Sequence, residues 1–164
     1  MSFLVTKTYS SERGFSCCFR QWRSVHSHCS KLHGYALSFE VTFGCNELDT
    51  RNWVVDFGSM DTFKAALEYM FDHTTIIAED DPEKEIFKNL HEKGILDLRI
   101  IPNVGCEQTA KYVFDMAEEW LKEYKFNEGR LLWVESVRVS EHPGNSATFT
   151  RNNLSPFVQV GRLS

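Results

Sequence analysis

An α+β fold, with an antiparallel sheet carrying helices on one face, follows from where two kinds of periodicity fall along this chain. Apolar and polar residues alternate over residues 35–43 and again over 131–141, the period of a half-buried strand. Between them, Met60, Phe63, Leu67, Met70 and Phe71 recur at helical spacing, and so do Val113, Met116, Ala117, Trp120, Leu121 and Tyr124. Strands at both ends with helices between them predict a layered α+β arrangement.

Taken in order, residues 3–9 alternate loosely and open the first strand, and Ser10 to Gly14 form a turn or bulge. Residues 15–21 resume the alternation, with Phe15, Cys17 and Phe19 on one face and Ser16, Cys18 and Arg20 on the other. A polar loop rich in histidine follows, then the central strand, whose phase extended backwards places His33 on the apolar face. Residues 53–57 read as a short returning strand, and Ser59 as the N-cap of a helix ending near Phe71. Pro82 suits the first position of a short helix closed by Gly94, and residues 98–101 suit a short strand. A long amphipathic helix begins near Glu107. The last two strands form a hairpin through Pro143 and Gly144, and the tail after Asn152 reads as frayed.

A chain of 164 residues suits one domain, taken as residues 1–164, with a core that needs no disulfide or structural metal. A net charge of -5 without a basic block argues against nucleic acid as a partner. No apolar run approaches the ~20 residues of a membrane span, and no export signal is visible, so a cytoplasmic protein with reduced thiols is expected.

Chemistry concentrates between Cys17 and Tyr35. A cysteine acts as nucleophile or base only as thiolate, and imidazole promotes that state. Cys29 lies in a polar loop, and His73, next to Asp72, offers a base held by a carboxylate; the bland alternative is an Asp-His pair at a helix end serving as a cap. A catalytic zinc needs three protein ligands and one open position. Residues 33 and 35 share one side of a strand, but the second of them is a tyrosine; His26, His28, Cys17, Cys18 and Cys29 are local substitutes. Glu141 ends an apolar strand face, where it is either solvated or paired with a ligand presenting two parallel N–H donors, such as the amino-pyrimidinone edge of a pterin or guanine. Glu107 is open in the same way, since a helix N-terminus favours acidic residues without any ligand.

Taken together, FSCCFRQ, CSKLHGY, WVVDFGSM, FDH, CEQTAKYVF and SVRVSEHPGNSATF resemble, in order and spacing, the motifs of the 6-pyruvoyl-tetrahydropterin synthase and 6-carboxy-tetrahydropterin synthase family. The match runs from about Phe15 to Thr150, with FxAAHRL, CxxLHGH and LDH as the corresponding family patterns. The resemblance implies a tunnelling fold (T-fold), with two long helices on an antiparallel sheet and subunits joined as trimers or hexamers. It also implies a zinc-assisted lyase reaction on 7,8-dihydroneopterin triphosphate, with Cys29, Asp72 and His73 as the proton relay and Glu141 as the pterin anchor. The CxxxH spacing is similar to the carboxy branch, which leads toward 7-deazaguanines and queuosine.

The chain also departs from the family. Of three zinc histidines, the first falls on Phe19 and the third on Tyr35, leaving His33. Either His28, Cys18 or another neighbour completes a zinc site, or the site is metal-free. Gly105 and Cys106 stand where a threonine is expected before Glu107. The two functional expectations are therefore a lyase of this type and, as alternative, a zinc-free, non-catalytic pterin- or purine-binding protein of the same fold.

Overall fold

The computed structural model describes residues 1–13 and 15–151 and carries eight strands and three α-helices among them. In chain order these are β1 (Phe3–Tyr9), β2 (Ser16–Phe19), β3 (His33–Ala36), β4 (Ser38–Cys45), α1 (Asp61–Phe71), β5 (Thr74–Ala78), α2 (Lys84–Glu92), β6 (Leu98–Ile101), α3 (Cys106–Lys122), β7 (Leu132–His142) and β8 (Asn145–Thr150). The tail expected to fray lies outside the described residues, as does Gly14 of the first turn.

The first sheet is fully antiparallel in the order β1-β4-β7-β8. Its inner face is the alternate set Phe39, Val41, Phe43 with Val134, Val137 and Val139, all fully buried. Against it lie Phe63, Leu67 and Phe71 of α1 and Ala110, Val113, Phe114 and Ala117 of α3, the apolar stripes that the helical spacing marks out. Its outer face is polar, with Thr6 and Thr42 hydroxyls 2.8 Å apart and Arg138 beside Glu40.

A second sheet, β3-β2-β5-β6, pairs β2 with β3 antiparallel but β2 with β5 and β5 with β6 parallel. It was not foreseen, because β5 is buried at all five positions and carries no alternation to read. The central strand expected over 35–43 is divided at Leu37, which is buried and whose N–H donates to the Phe15 carbonyl at 3.0 Å. The alternation continues across that point, but the pairing partner changes from β2 to β1 and β7. Period reports faces, not partners.

Three smaller expectations need correction. Residues 53–57 are not a strand; Asp49 folds them into a loop, its Oδ1 accepting from the N–H groups of Arg51 (2.9 Å) and Trp53 (2.8 Å). Asp56, not Ser59, supplies the side-chain cap, to Gly58 N–H at 2.8 Å ahead of α1. In β7 the register shifts opposite Thr42 and Phe43, so Glu135 is an extra residue and Val134 joins the face of Val137 instead of opposing it.

Candidate active site

The two faces of the β2–β3 pair hold different chemistry. Cys17 lies opposite Tyr35 and Phe19 opposite His33, so these four side chains share one face, while Cys18 and Gly34 occupy the other. On the first face the Tyr35 ring stacks on Phe19 with centroids 4.0 Å apart and planes 6° from parallel. The Tyr35 hydroxyl lies 2.7 Å from His33 Nε2, and His33 Nδ1 lies 2.7 Å from the Lys31 carbonyl oxygen. A carbonyl only accepts, so Nδ1 carries the imidazole proton and Nε2 accepts from the phenol.

Burial pushes the Tyr35 phenol up to about 12, and the nearby charges of Glu141, Cys29, Cys17 and Cys106 add to the effect. Of these, Cys17 lies opposite Tyr35 across β2 and β3, and Glu141, Cys29 and Cys106 are within electrostatic reach of the hydroxyl. Cys29 belongs to a short turn, Ser27 to Ser30, in which Ser27 Oγ accepts from the Cys29 N–H at 3.0 Å and Gln21 N–H donates to the Cys29 carbonyl at 2.8 Å. Cys106 begins α3 and donates from Sγ to the Val139 carbonyl at 3.1 Å. Burial raises its thiol to about 11, with Glu141 and Glu107 contributing. Glu107 is the second residue of α3, and Cys106 ties the start of that helix to β7 two residues before Glu141.

Gln21 was not singled out from the sequence, yet it joins the two halves of this pocket. Its backbone holds Cys29 while its Nε2 donates to the Val104 carbonyl at 2.6 Å, one residue from Gly105. Gly105 has φ +109, a backbone conformation that requires glycine, and it packs against the amide end of Gln21. The absent threonine before Glu107 is explained by that packing at Gly105 and by the Cys106 thiol spent on β7. Pairing Gln21 with Gly105 would have been the only signal, and nothing local links residues so far apart.

Asp72 and His73 sit elsewhere in the chain's own fold. His73 holds a left-handed backbone (φ +57), fixed where its N–H donates to the Ser16 carbonyl at 2.6 Å. Its Nδ1 is 2.7 Å from Asp72 Oδ1, and its side chain is 83% exposed. With Cys18, Gly34, Thr75 and Asp97 it lines an open groove of about 320 Å³ on the second face of β2 and β3. Cys29, Glu141 and Cys106 thus lie within electrostatic reach of Tyr35 in one chain, while His73, paired with Asp72, is exposed at the groove on the other face of β2 and β3.

The proposed metal ligands are not brought together. Cys18 points into the groove, 3.2 Å from Thr75 Oγ1, and the His28 ring is exposed with its centroid 6.1 Å from that of His33. Among the described residues no group of three or more His, Cys, Asp or Glu side chains is placed to hold a metal ion. The family's usual zinc therefore does not fit the side chains present, because the ring of Phe19 supplies no donor and the Nε2 lone pair of His33 is taken by the Tyr35 phenol.

Solved structures share this architecture. An uncharacterised protein from Wolinella succinogenes superposes with a TM-score of 0.74 over 92% of this chain and 99% of its own, at 18% identity. The 6-pyruvoyl tetrahydropterin synthase of Caenorhabditis elegans gives 0.59 over 92% and 96%, also at 18% identity. The fold is thus the tunnelling fold of the tetrahydropterin synthases. The family model described as 6-pyruvoyl tetrahydropterin synthase matches residues 8–152, and the chain belongs to that family. It is 32% identical over 141 residues to the 6-carboxy-5,6,7,8-tetrahydropterin synthase of Aquifex aeolicus, covering 75% of this chain and 83% of that one. A 56-residue stretch is 36% identical to the synthase of the same name from Rickettsia felis, covering 34% and 41%. The protein is accordingly an enzyme of the tetrahydropterin synthase type.

Proposed function

We propose that the protein is a lyase of the 6-carboxy-5,6,7,8-tetrahydropterin synthase kind, acting on 7,8-dihydroneopterin triphosphate on the route to 7-deazaguanines such as queuosine. The observation that supports this reading is the bond from Cys106 at the start of α3 to Val139 of β7, which sets Glu107 and Glu141 near one helix end, with Tyr35 within electrostatic reach of Glu141 and Cys29. In it the Glu141 carboxylate accepts two parallel N–H donors from the pterin edge, which orients the side chain of the substrate toward Cys29. The Cys29 thiol moves the proton of a side-chain carbon, and Glu107, at the positive end of α3, contributes to the polar wall.

Asp72 and His73 complete the relay from a neighbouring copy of the chain. Their exposure on the face away from Cys29 suits a homo-oligomer, trimeric or hexameric, in which one subunit's groove closes the next subunit's pocket. No described helix is long and apolar enough to cross a membrane, and all five cysteines are free, which suits work in the reducing cytoplasm.

The test is product formation from 7,8-dihydroneopterin triphosphate by the purified full-length protein, followed by chromatography of the pterin products. Turnover that Cys29→Ala removes, with pterin affinity kept, supports the lyase. Pterin binding without any turnover would overturn it.

A further inference from the structure

We propose that this pocket works without a metal ion, and that the Tyr35 hydroxyl, held on His33 Nε2, is the polar group that meets a ligand hydroxyl in its place. The imidazole of His33 has one lone pair in its neutral form, on Nε2, and the phenol already occupies it at 2.7 Å. The other nitrogen carries its proton toward the Lys31 carbonyl at 2.7 Å. A cation would have to displace the phenol from Nε2 to gain that one ligand, while the Nδ1–H bond to Lys31 could stay. At the facing strand position it would find Phe19, parallel to Tyr35 and fixing its ring, and the exposed His28 ring, 6.1 Å from that of His33 between centroids, has no third such group beside it among the described residues. Cys18, the nearest alternative on β2, faces the other way and contacts Thr75.

The same bonds define what the dyad offers instead. The phenol proton points inward, so the lone pairs of the Tyr35 oxygen are left to accept a hydrogen bond from outside. A hydroxyl-bearing side chain on a heterocycle anchored by Glu141 is the chemical class that fits. This part rests on the pterin reading above; the exclusion of metal does not.

Two independent measurements decide it. The full-length protein is incubated with excess zinc, desalted, and its metal counted. Wild type is expected to retain far less than one equivalent, whereas Phe19→His with Tyr35→His, which sets three imidazoles on one face, retains one. An equivalent of zinc held by wild type and lost in His33→Ala would overturn the proposal. Nitrogen-15 NMR of the wild-type imidazoles gives a reading that needs no variant to fold: His33 should show a protonated Nδ1 and an unprotonated Nε2, and the reverse tautomer would overturn the proposal as well.

For the ligand, calorimetry compares neopterin, with its hydroxylated side chain, and unsubstituted pterin. Tyr35→Phe should weaken neopterin about five- to tenfold, the loss of one hydrogen bond, and leave pterin unchanged. Equal loss for both, or none, would remove Tyr35 as the acceptor. Failure of wild type to bind either compound would retire the pterin reading, while the zinc count and the tautomer still judge the metal-free dyad.

Discussion

Arg20 grips Asp81 with both prongs of its guanidinium, Nε to Oδ2 at 2.9 Å and Nη2 to Oδ1 at 2.5 Å, and the Asp81 side chain is completely buried. The pair ties the end of β2, one residue beyond Phe19, to the turn that follows β5. It thereby fixes the strand whose one face carries the Tyr35 stack and whose other face lines the His73 groove. Asp81 also accepts from the Glu83 N–H at 2.9 Å, so removing the arginine strands a desolvated carboxylate. Arg20→Ala is expected to lower stability by about 3–5 kcal/mol, and Arg20→Lys by less, because a lysine cannot make the two parallel bonds. Urea melts followed by circular dichroism check both.

The same pair sets a pH dependence. Burial opposes ionisation of Asp81, but the Arg20 hydrogen bonds, the Glu83 N–H and the Arg20 charge outweigh it and hold its pKa below the usual 3.8. A carboxylate depressed in the folded state contributes stability above its unfolded pKa and loses it as pH falls through the folded value. Stability should therefore decline below about pH 4, and Asp81→Asn should remove part of that acid limb while lowering the plateau. Melts across pH 2 to 7 test it; an unchanged acid limb in Asp81→Asn would assign the loss to other carboxylates.

Gly44 and Trp133 face each other across β4 and β7, and a Cβ built on Gly44 would fall 2.6 Å from the indole Nε1 and 2.7 Å from Cζ2. The indole is held there by its bond to Glu135 Oε2 at 2.7 Å, the residue inserted by the β-bulge. Gly44→Ala should cost about 1–3 kcal/mol by overpacking, and Trp133→Leu should relieve most of that cost in the double variant. A double-mutant cycle from denaturant melts supplies the coupling; additivity would mean that the ring has room to move.

Much of this architecture was readable in the chain because faces are encoded locally. The stripes of α1 and α3 and the inner face of β4 needed only spacing, and the family motifs supplied the order in which they join. What stayed hidden was pairing over long distances. β5, buried on both sides, has no polar phase, and the handover at Leu37 from one sheet to the other leaves the alternation of residues 35–43 intact. The site was legible to the same degree. Cys29, Glu141 and Glu107 carry their chemistry in their residue types, whereas Gln21 matters only through Val104, and Cys18 suggests a zinc ligand through its thiol although the alternation already sets it on the face opposite Phe19.

Glu141 lies two residues beyond Val139, whose carbonyl accepts from the Cys106 thiol at the start of α3, and it is the proposed anchor of the pterin. Glu141→Gln keeps the shape but replaces one acceptor oxygen with a donor, which opposes an N–H of the ligand. Pterin affinity should fall by about 1.5–3 kcal/mol, the range for a hydrogen bond to a charged group, with the melting temperature little changed. Calorimetric titration with pterin measures it, and undiminished affinity would move the anchor to another residue.

If His73 serves the pocket of a neighbouring copy, the two halves of the relay can be inactivated in different chains. Cys29→Ala and His73→Ala should each abolish turnover on 7,8-dihydroneopterin triphosphate. Unfolded together and refolded as mixed oligomers, some seams then join an intact Cys29 to an intact His73, and a fraction of wild-type activity should return. Both singly substituted proteins refolded alone serve as the blanks, and light scattering confirms that subunits have reassembled. Activity that stays absent in mixed oligomers of native size would place both groups in the service of one chain's pocket. Such a result requires the strained His73 turn, held to Ser16, to rearrange and bring the imidazole around the β2–β3 pair, because the folded chain alone presents it on the far side.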